Sequence, residues 1–201
     1  LFHSGHAVES FNQLRKYDVL KYLFPAADKG FQFNPDAEQF FRLAMHSTDE
    51  RIKKGLRITP AFLFAALLWE PLQHRTKLAV KNGLPYAAAL QQSASQLIAE
   101  QVHCVSIPKR FSTTMKDIWS LQTRFRYRSG RRAMSVLQHP KFRAGYDFLC
   151  LRAQAGEETE KDCQWWTDIQ EKSQDEQQKM LMDHKKGRSR HPRRNSNKES
   201  H

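Results

Sequence analysis

The sequence predicts an all-α fold, an irregular helical bundle or array closed by a disordered basic C-terminal tail. Apolar residues recur at helical spacing between prolines and glycines that start and stop helices. None of the pieces so delimited reads as a strand, and past Asp183 no apolar periodicity remains.

Taken in order, Leu14, Tyr17, Leu20, Tyr22, Leu23 and Phe24 follow helical spacing up to Pro25. Pro35 opens a second helix with an apolar stripe of Phe40, Phe41, Leu43 and Ala44, and Gly55 stops it. Thr59-Pro60 reads as an N-cap hydroxyl followed by Pro at the first helical position. Ala61 to Trp69 is apolar all round, as the buried centre of a bundle would be. Pro71 is expected to start a piece ending near Gly83. Pro85 opens another that carries Leu90, Leu97, Ile98 and Val102. From Pro108 the spacing runs through Phe111, Met115, Ile118, Trp119 and Phe125 and breaks at Ser129-Gly130. It resumes over Arg131 to Leu137 and restarts after Pro140 with Phe142, Tyr146, Leu149 and Cys150. Gly156 and the acidic run Glu157 to Asp162 precede a last amphipathic helix with Trp165, Trp166 and Ile169, reaching toward Met180 to Met182.

Charge divides the chain further. Residues 1–102 carry a net +3, 103–152 a net +9, 153–182 a net −5 and 183–201 a net +5. These shifts predict a helical body over 1–105, a basic helical arm over 106–182, read below as the RNA-binding part, and a disordered basic tail over 183–201. No apolar run approaches the roughly 18 residues of a membrane span, and no basic region followed by an apolar one marks a signal peptide. The start at Leu1 suggests a beginning inside a longer polypeptide. Cys104, Cys150 and Cys163 leave an odd thiol and no CxxC spacing, so neither a disulfide framework nor a zinc site is expected, and a reducing cytoplasm fits.

Catalytic residues are not expected in this chain. His3 and His6 read as bystanders, and His103 and Cys104 as structural neighbours. Asp49-Glu50 and Glu157-Glu158 read as solvated carboxylates, and no nucleophile elbow, HExxH or phosphate loop is present. The basic segment stands out instead. Lys109, Arg110, Lys116, Arg124, Arg126, Arg128, Arg131, Arg132, Lys141 and Arg143 are interleaved with Phe111, Trp119, Phe125, Tyr127 and Phe142. Guanidinium and ammonium groups neutralise phosphates, and exposed rings stack unpaired bases. Phe111, Trp119 and Phe125 keep the spacing of core residues. Over residues 103–152 basic groups outnumber acidic ones by 11 to 2, which leaves almost no internal partners. In the tail, Lys185, Lys186, Arg188, Arg190, Arg193 and Arg194 are expected to add further RNA contacts. A helical adaptor whose basic face binds an acidic protein partner is the alternative. A helix-turn-helix DNA reader is weaker, because no short helix combines Asn, Gln and Arg at base-reading positions.

At Ile107-Pro108-Lys109-Arg110-Phe111-Ser112 the chain reaches residues of a known family. With Arg131-Arg132-Ala133, His139-Pro140-Lys141-Phe142-Arg143-Ala144, Tyr146-Asp147-Phe148 and the run Thr59 to Trp69, it resembles the C-terminal half of bacterial poly(A) polymerase I. Leu1 to His6, Leu23-Phe24-Pro25 and Trp165-Trp166 extend the resemblance over about residues 1–170 in order. The resemblance is to a nucleotidyltransferase superfamily that also holds the tRNA CCA-adding enzymes. It implies that the parent enzyme, a polynucleotide adenylyltransferase, adds AMP from ATP to RNA 3′ ends using Mg2+, in polyadenylation that promotes RNA turnover. It further implies that this chain is the part that holds single-stranded RNA. The head with its Gly-Ser turn and paired aspartates, and with it ATP and Mg2+, has no counterpart here, since no Gly-Ser dipeptide occurs. No cofactor is therefore expected in the chain, and the chain alone is expected to be inactive. RNA-degradation proteins are the protein partners that the resemblance suggests.

Overall fold

The computed structural model describes residues 4–183. The tail residues Lys185 to Arg194, and Leu1, Phe2 and His3 at the start, lie outside the described residues. Among the described residues there are twelve helices and no strand. These are α1 (Ala7–Lys16), α2 (Leu20–Leu23), α3 (Pro25–Phe33), α4 (Pro35–Lys53), α5 (Pro60–Leu67), α6 (Trp69–Lys81), α7 (Tyr86–Val102), α8 (Lys109–Arg124), α9 (Gly130–Leu137), α10 (Phe142–Gln154), α11 (Glu160–Gln170) and α12 (Gln174–Asp183).

Prolines begin α3, α4 and α5 as first helical residues, where a missing N–H costs nothing. Asn34 caps α4 by accepting from the Asp36 N–H. Three expectations at the boundaries are corrected. The helix expected to run from Leu14 to Phe24 breaks after Lys16, because Asp18 takes the left-handed conformation with φ 58°, which Asp tolerates better than most residues; Tyr17 and Tyr22 are exposed. The apolar run Ala61 to Trp69 is two helices, and α6 starts at Trp69 rather than Pro71; the Thr59 hydroxyl makes no capping bond. The last amphipathic stretch also divides, at Ser173, whose N–H and hydroxyl both reach Glu176 in a capping box that starts α12.

Two apolar cores result. The first gathers Phe11, Phe31 and Phe41, with ring centroids 5.2–6.1 Å apart, and the α5 residues Leu63, Ala65 and Leu67. From α8 it takes Met115, Ile118 and Trp119, and from α10 Phe148, whose ring meets Phe40, Phe62 and Trp69. Trp119 donates its indole N–H to the Ala65 carbonyl at 3.0 Å, so its single polar group is satisfied inside. The second core gathers Leu121, Phe125, Val136, Phe142, Leu149, Trp166, Ile169 and Leu181. Trp166 donates to the Phe125 carbonyl at 2.7 Å. Trp119 and Phe125 are thus packed into the cores, and Phe111 is half-buried against the first of them.

Carboxylates read as solvated are in part structural. Asp49 is buried and accepts the N–H groups of Ala7 and Val8 at 2.8 and 3.3 Å, capping α1 from across the fold. Glu157 accepts from Trp69 Nε1 and from the buried Arg152, which also donates to Gln122. This network ties α6, α8 and α10 together, since Gln122 in turn donates to the Gly145 carbonyl. The cysteine expectation is corrected too: Cys150 on α10 and Cys163 on α11 form a disulfide with Cα atoms 5.1 Å apart, and Cys104 is free and exposed. Pairing became available because α10 and α11 pack side by side, a proximity that the spacing of the cysteines does not encode.

Candidate nucleic-acid interface

The ten basic residues singled out in the central segment do not form one uniform face. Lys109 and Arg110 are exposed on the first turn of α8, where Arg110 lies over the Phe111 ring at 4.9 Å. Lys116, one turn further on, donates to Ser95 Oγ of α7 at 3.0 Å.

Beyond α8 the chain turns sharply, and the cations converge. Arg126 and Arg132 both lie over the ring of Tyr127, at 5.0 and 4.8 Å from its centroid, and Arg126 also donates to the Tyr127 hydroxyl at 3.0 Å. The Arg126 hydrogen bond, followed by the charges of Arg126 and Arg132, holds that hydroxyl below its ordinary pKa. Arg124 donates to Ser135 Oγ at 2.9 Å, tying the end of α8 to α9, and Arg131 is exposed on the first turn of α9. This is a half-buried ring edged by guanidinium groups.

Two of the ten have carboxylate partners, one of them from outside the basic segment. Arg128 pairs with Asp162 of α11, and Arg143 with Asp147 one helical turn away, at 3.0 Å. The acidic partner of Arg128 comes from the neighbouring acidic stretch, which packs back on the basic one. Counting charge within the segment alone missed it.

Lys141 and Arg143 belong to a different place. They line a cleft of about 260 Å³ together with Arg51 at the end of α4 and Arg57 in the loop before α5. Asp147 in this cleft pairs with Arg143 and, at 3.7 Å, with Arg51. Burial pushes the Asp147 carboxyl above its ordinary pKa, although both arginines pull the other way. A second, shallower cleft of about 500 Å³ lies against Arg131, Ser135, Gln138 and His139, and Pro140 lines both. Arg51 and Arg57 were missed because their charge was averaged over the first hundred residues. A local signal was present, since Arg51, Lys53, Lys54 and Arg57 follow one another without an acid.

Comparison with known families decides the relationship. Residues 82–200 match the family described as Polymerase A arginine-rich C-terminus. The chain belongs to that family. Residues 1–31 match a second, described as Probable RNA and SrmB-binding site of polymerase A. The poly(A) polymerase I of Salmonella typhi is 39% identical over 186 residues, that of Escherichia coli O6:H1 37% over 186, and that of Haemophilus influenzae 35% over 188. These matches take in 90–91% of this chain and 40–41% of the relatives, so the chain spans about two fifths of their length. Among the described residues no helix is long and apolar enough to cross a membrane, and no three His, Cys, Asp or Glu side chains converge as a metal site would require.

Proposed function

We propose that this chain grips single-stranded RNA by its phosphates, and stacks a base on Tyr127, for a polymerase that adds AMP from ATP to RNA 3′ ends. The observation that carries the reading is the half-buried Tyr127 ring with the guanidinium groups of Arg126 and Arg132 at 5.0 and 4.8 Å from its centroid, beside the exposed Arg131. A ring face offers stacking to any base, and guanidinium groups neutralise the flanking phosphates. Neither reads base edges, which suits an enzyme that extends RNA without a template.

Residues 1–105 serve as the body, 106–182 as the RNA-binding arm and 183–201 as a basic tail, with Lys185, Lys186, Arg188, Arg190, Arg193 and Arg194 adding salt-sensitive attraction. Lys109, Arg110 and Lys116 extend the phosphate track along α8. The chemistry belongs to a catalytic head outside this chain, where carboxylates would hold Mg2+ and the metal would bind the phosphates of ATP. Among the described residues no three His, Cys, Asp or Glu side chains converge, and no transfer step is assigned to this chain. The match of residues 1–31 to a family whose name couples RNA to SrmB supports SrmB as a protein partner at the α1 to α3 end.

The test is a fluorescence-anisotropy titration with labelled oligo(A) at several salt concentrations, with polyglutamate as competitor. Oligo(A) binding is expected, with log K falling linearly against log salt. Tyr127→Ala is expected to lower affinity by about 1–3 kcal/mol, the worth of one stacked base. Polyglutamate bound as tightly as oligo(A) overturns the reading in favour of an acidic protein partner. Incubation with labelled ATP, Mg2+ and an RNA primer should give no extension.

A further inference from the structure

We infer that the cleft walled by Arg51, Arg57, Lys141 and Arg143 is a second grip on the same strand, taking one sugar-phosphate unit beyond the Tyr127 site. The inference rests on the RNA reading above and adds residues from the body that the basic segment does not contain.

Four cations from three separate pieces of chain converge on about 260 Å³, and the one carboxylate among the lining residues, Asp147, is shared by two of them. The lining thus carries a net +3. Arg57 is exposed at the cleft and has no carboxylate partner among the described residues. The volume lies below the roughly 300 Å³ at which drug-sized pockets begin, so it suits a phosphate with its sugar better than a whole nucleotide with its base. Apolar walls, Phe62 among them, strengthen charge pairing by lowering the local dielectric.

Continuity points to RNA as the source of the phosphate. Pro140 lines both this cleft and the shallower one at Arg131, so the two adjoin, and a strand held at Tyr127 and Arg131 would reach the first by way of the second. Asp147 then acts as an internal stand-in for phosphate. It occupies Arg51 and Arg143 while the cleft is empty of RNA, and its burial makes it a poorly solvated occupant.

The geometry predicts opposite signs for neighbouring substitutions. Arg57→Ala and Arg51→Ala should each weaken binding of an oligo(A) of about twelve nucleotides by about fivefold and reduce the salt slope by about 0.7. Binding of an oligo(A) of about four nucleotides, held at Tyr127 alone, should not change. Asp147→Asn should tighten binding of the longer oligonucleotide. Circular dichroism and melting of each variant establish that it is folded. Unchanged affinity of folded Arg57→Ala and Arg51→Ala for the longer oligonucleotide overturns the inference, as does an equal loss on both lengths. So does AMP or inorganic phosphate competing as well as oligo(A) of equal phosphate concentration, which assigns the cleft to a free nucleotide. If the parent chain binds no oligo(A), the RNA reading itself fails. If Tyr127→Ala weakens binding while the cleft variants do not, only the second grip fails.

Discussion

Arg128 gives both Nε and Nη2 to one carboxylate oxygen of Asp162, at 2.8 and 2.5 Å, and so fixes the turn after α8 against α11. Its charge is already engaged within the fold, unlike that of Arg131 three residues on. Arg128→Ala should therefore lower stability by about 1 kcal/mol, as a partly exposed pair does. It should change oligo(A) affinity less than Arg131→Ala, which leaves the fold intact. Thermal melts and titrations of the two variants check this, and a larger affinity loss for Arg128→Ala would show that the ion pair opens to meet RNA.

Asp147 should make stability depend on pH in a direction opposite to an ordinary paired carboxylate. Its folded pKa is raised, so the unfolded chain releases the proton first as pH rises. Its contribution is fully present below the unfolded value of about 4 and is lost as pH climbs through the folded value. The difference in melting temperature, parent minus Asp147→Asn, should therefore shrink with rising pH over the acidic range. A difference that grows with pH would mean that Arg143 and Arg51 outweigh burial.

Removing the Cys150–Cys163 bridge should destabilise the second core. The cysteines are 13 residues apart, and a loop of about that length is worth roughly 3 kcal/mol in the chain-entropy picture. The double Cys→Ser variant should melt lower, and added reductant should lower the parent to match. Thiol titration of the native chain should find Cys104 alone, and all three cysteines after reduction and unfolding.

Gly145 sets how closely α8 and α10 approach. A Cβ there would meet Leu121 Cδ1 at 2.7 Å and Phe125 Cε2 at 3.3 Å, both on fully buried side chains. Gly145→Ala should cost about 1–3 kcal/mol through overpacking. Combining it with Leu121→Ala, which frees that space, should cost less than the sum of the two changes in a double-mutant cycle.

What could be read from the chain beforehand was local. Pro35 and Pro60 opened helices where expected, and Gly55 ended one, because their backbone constraints act within a turn. The apolar spacing of Met115, Ile118 and Trp119 identified them as core for the same reason. What could not be read depends on residues far apart in sequence. Asp49 meets Ala7 across 42 positions and Arg128 meets Asp162 across 34, and neither pairing leaves a periodic trace. Ser173-Gln174-Asp175-Glu176 was legible as a capping box and overlooked, since the tryptophans before it drew the helix onward. At the candidate site the Arg126–Tyr127–Arg132 cluster was foreseeable, because its members lie within one short stretch of sequence. The cleft was not, because Arg51 and Arg57 reach Lys141 only when α4 is laid beside α10.

Helix α8 is shared property. Trp119 lies in the first core and Leu121, two residues later and on roughly the opposite side of the helix, lies in the second. Neither core can melt without stripping one face of the same helix, so denaturant should take both through a single cooperative transition. The end of the molecule that carries Tyr127 accordingly borrows its rigidity from residues more than fifty positions upstream, and a fragment beginning at residue 106 would lose the surface against which Trp119 is anchored.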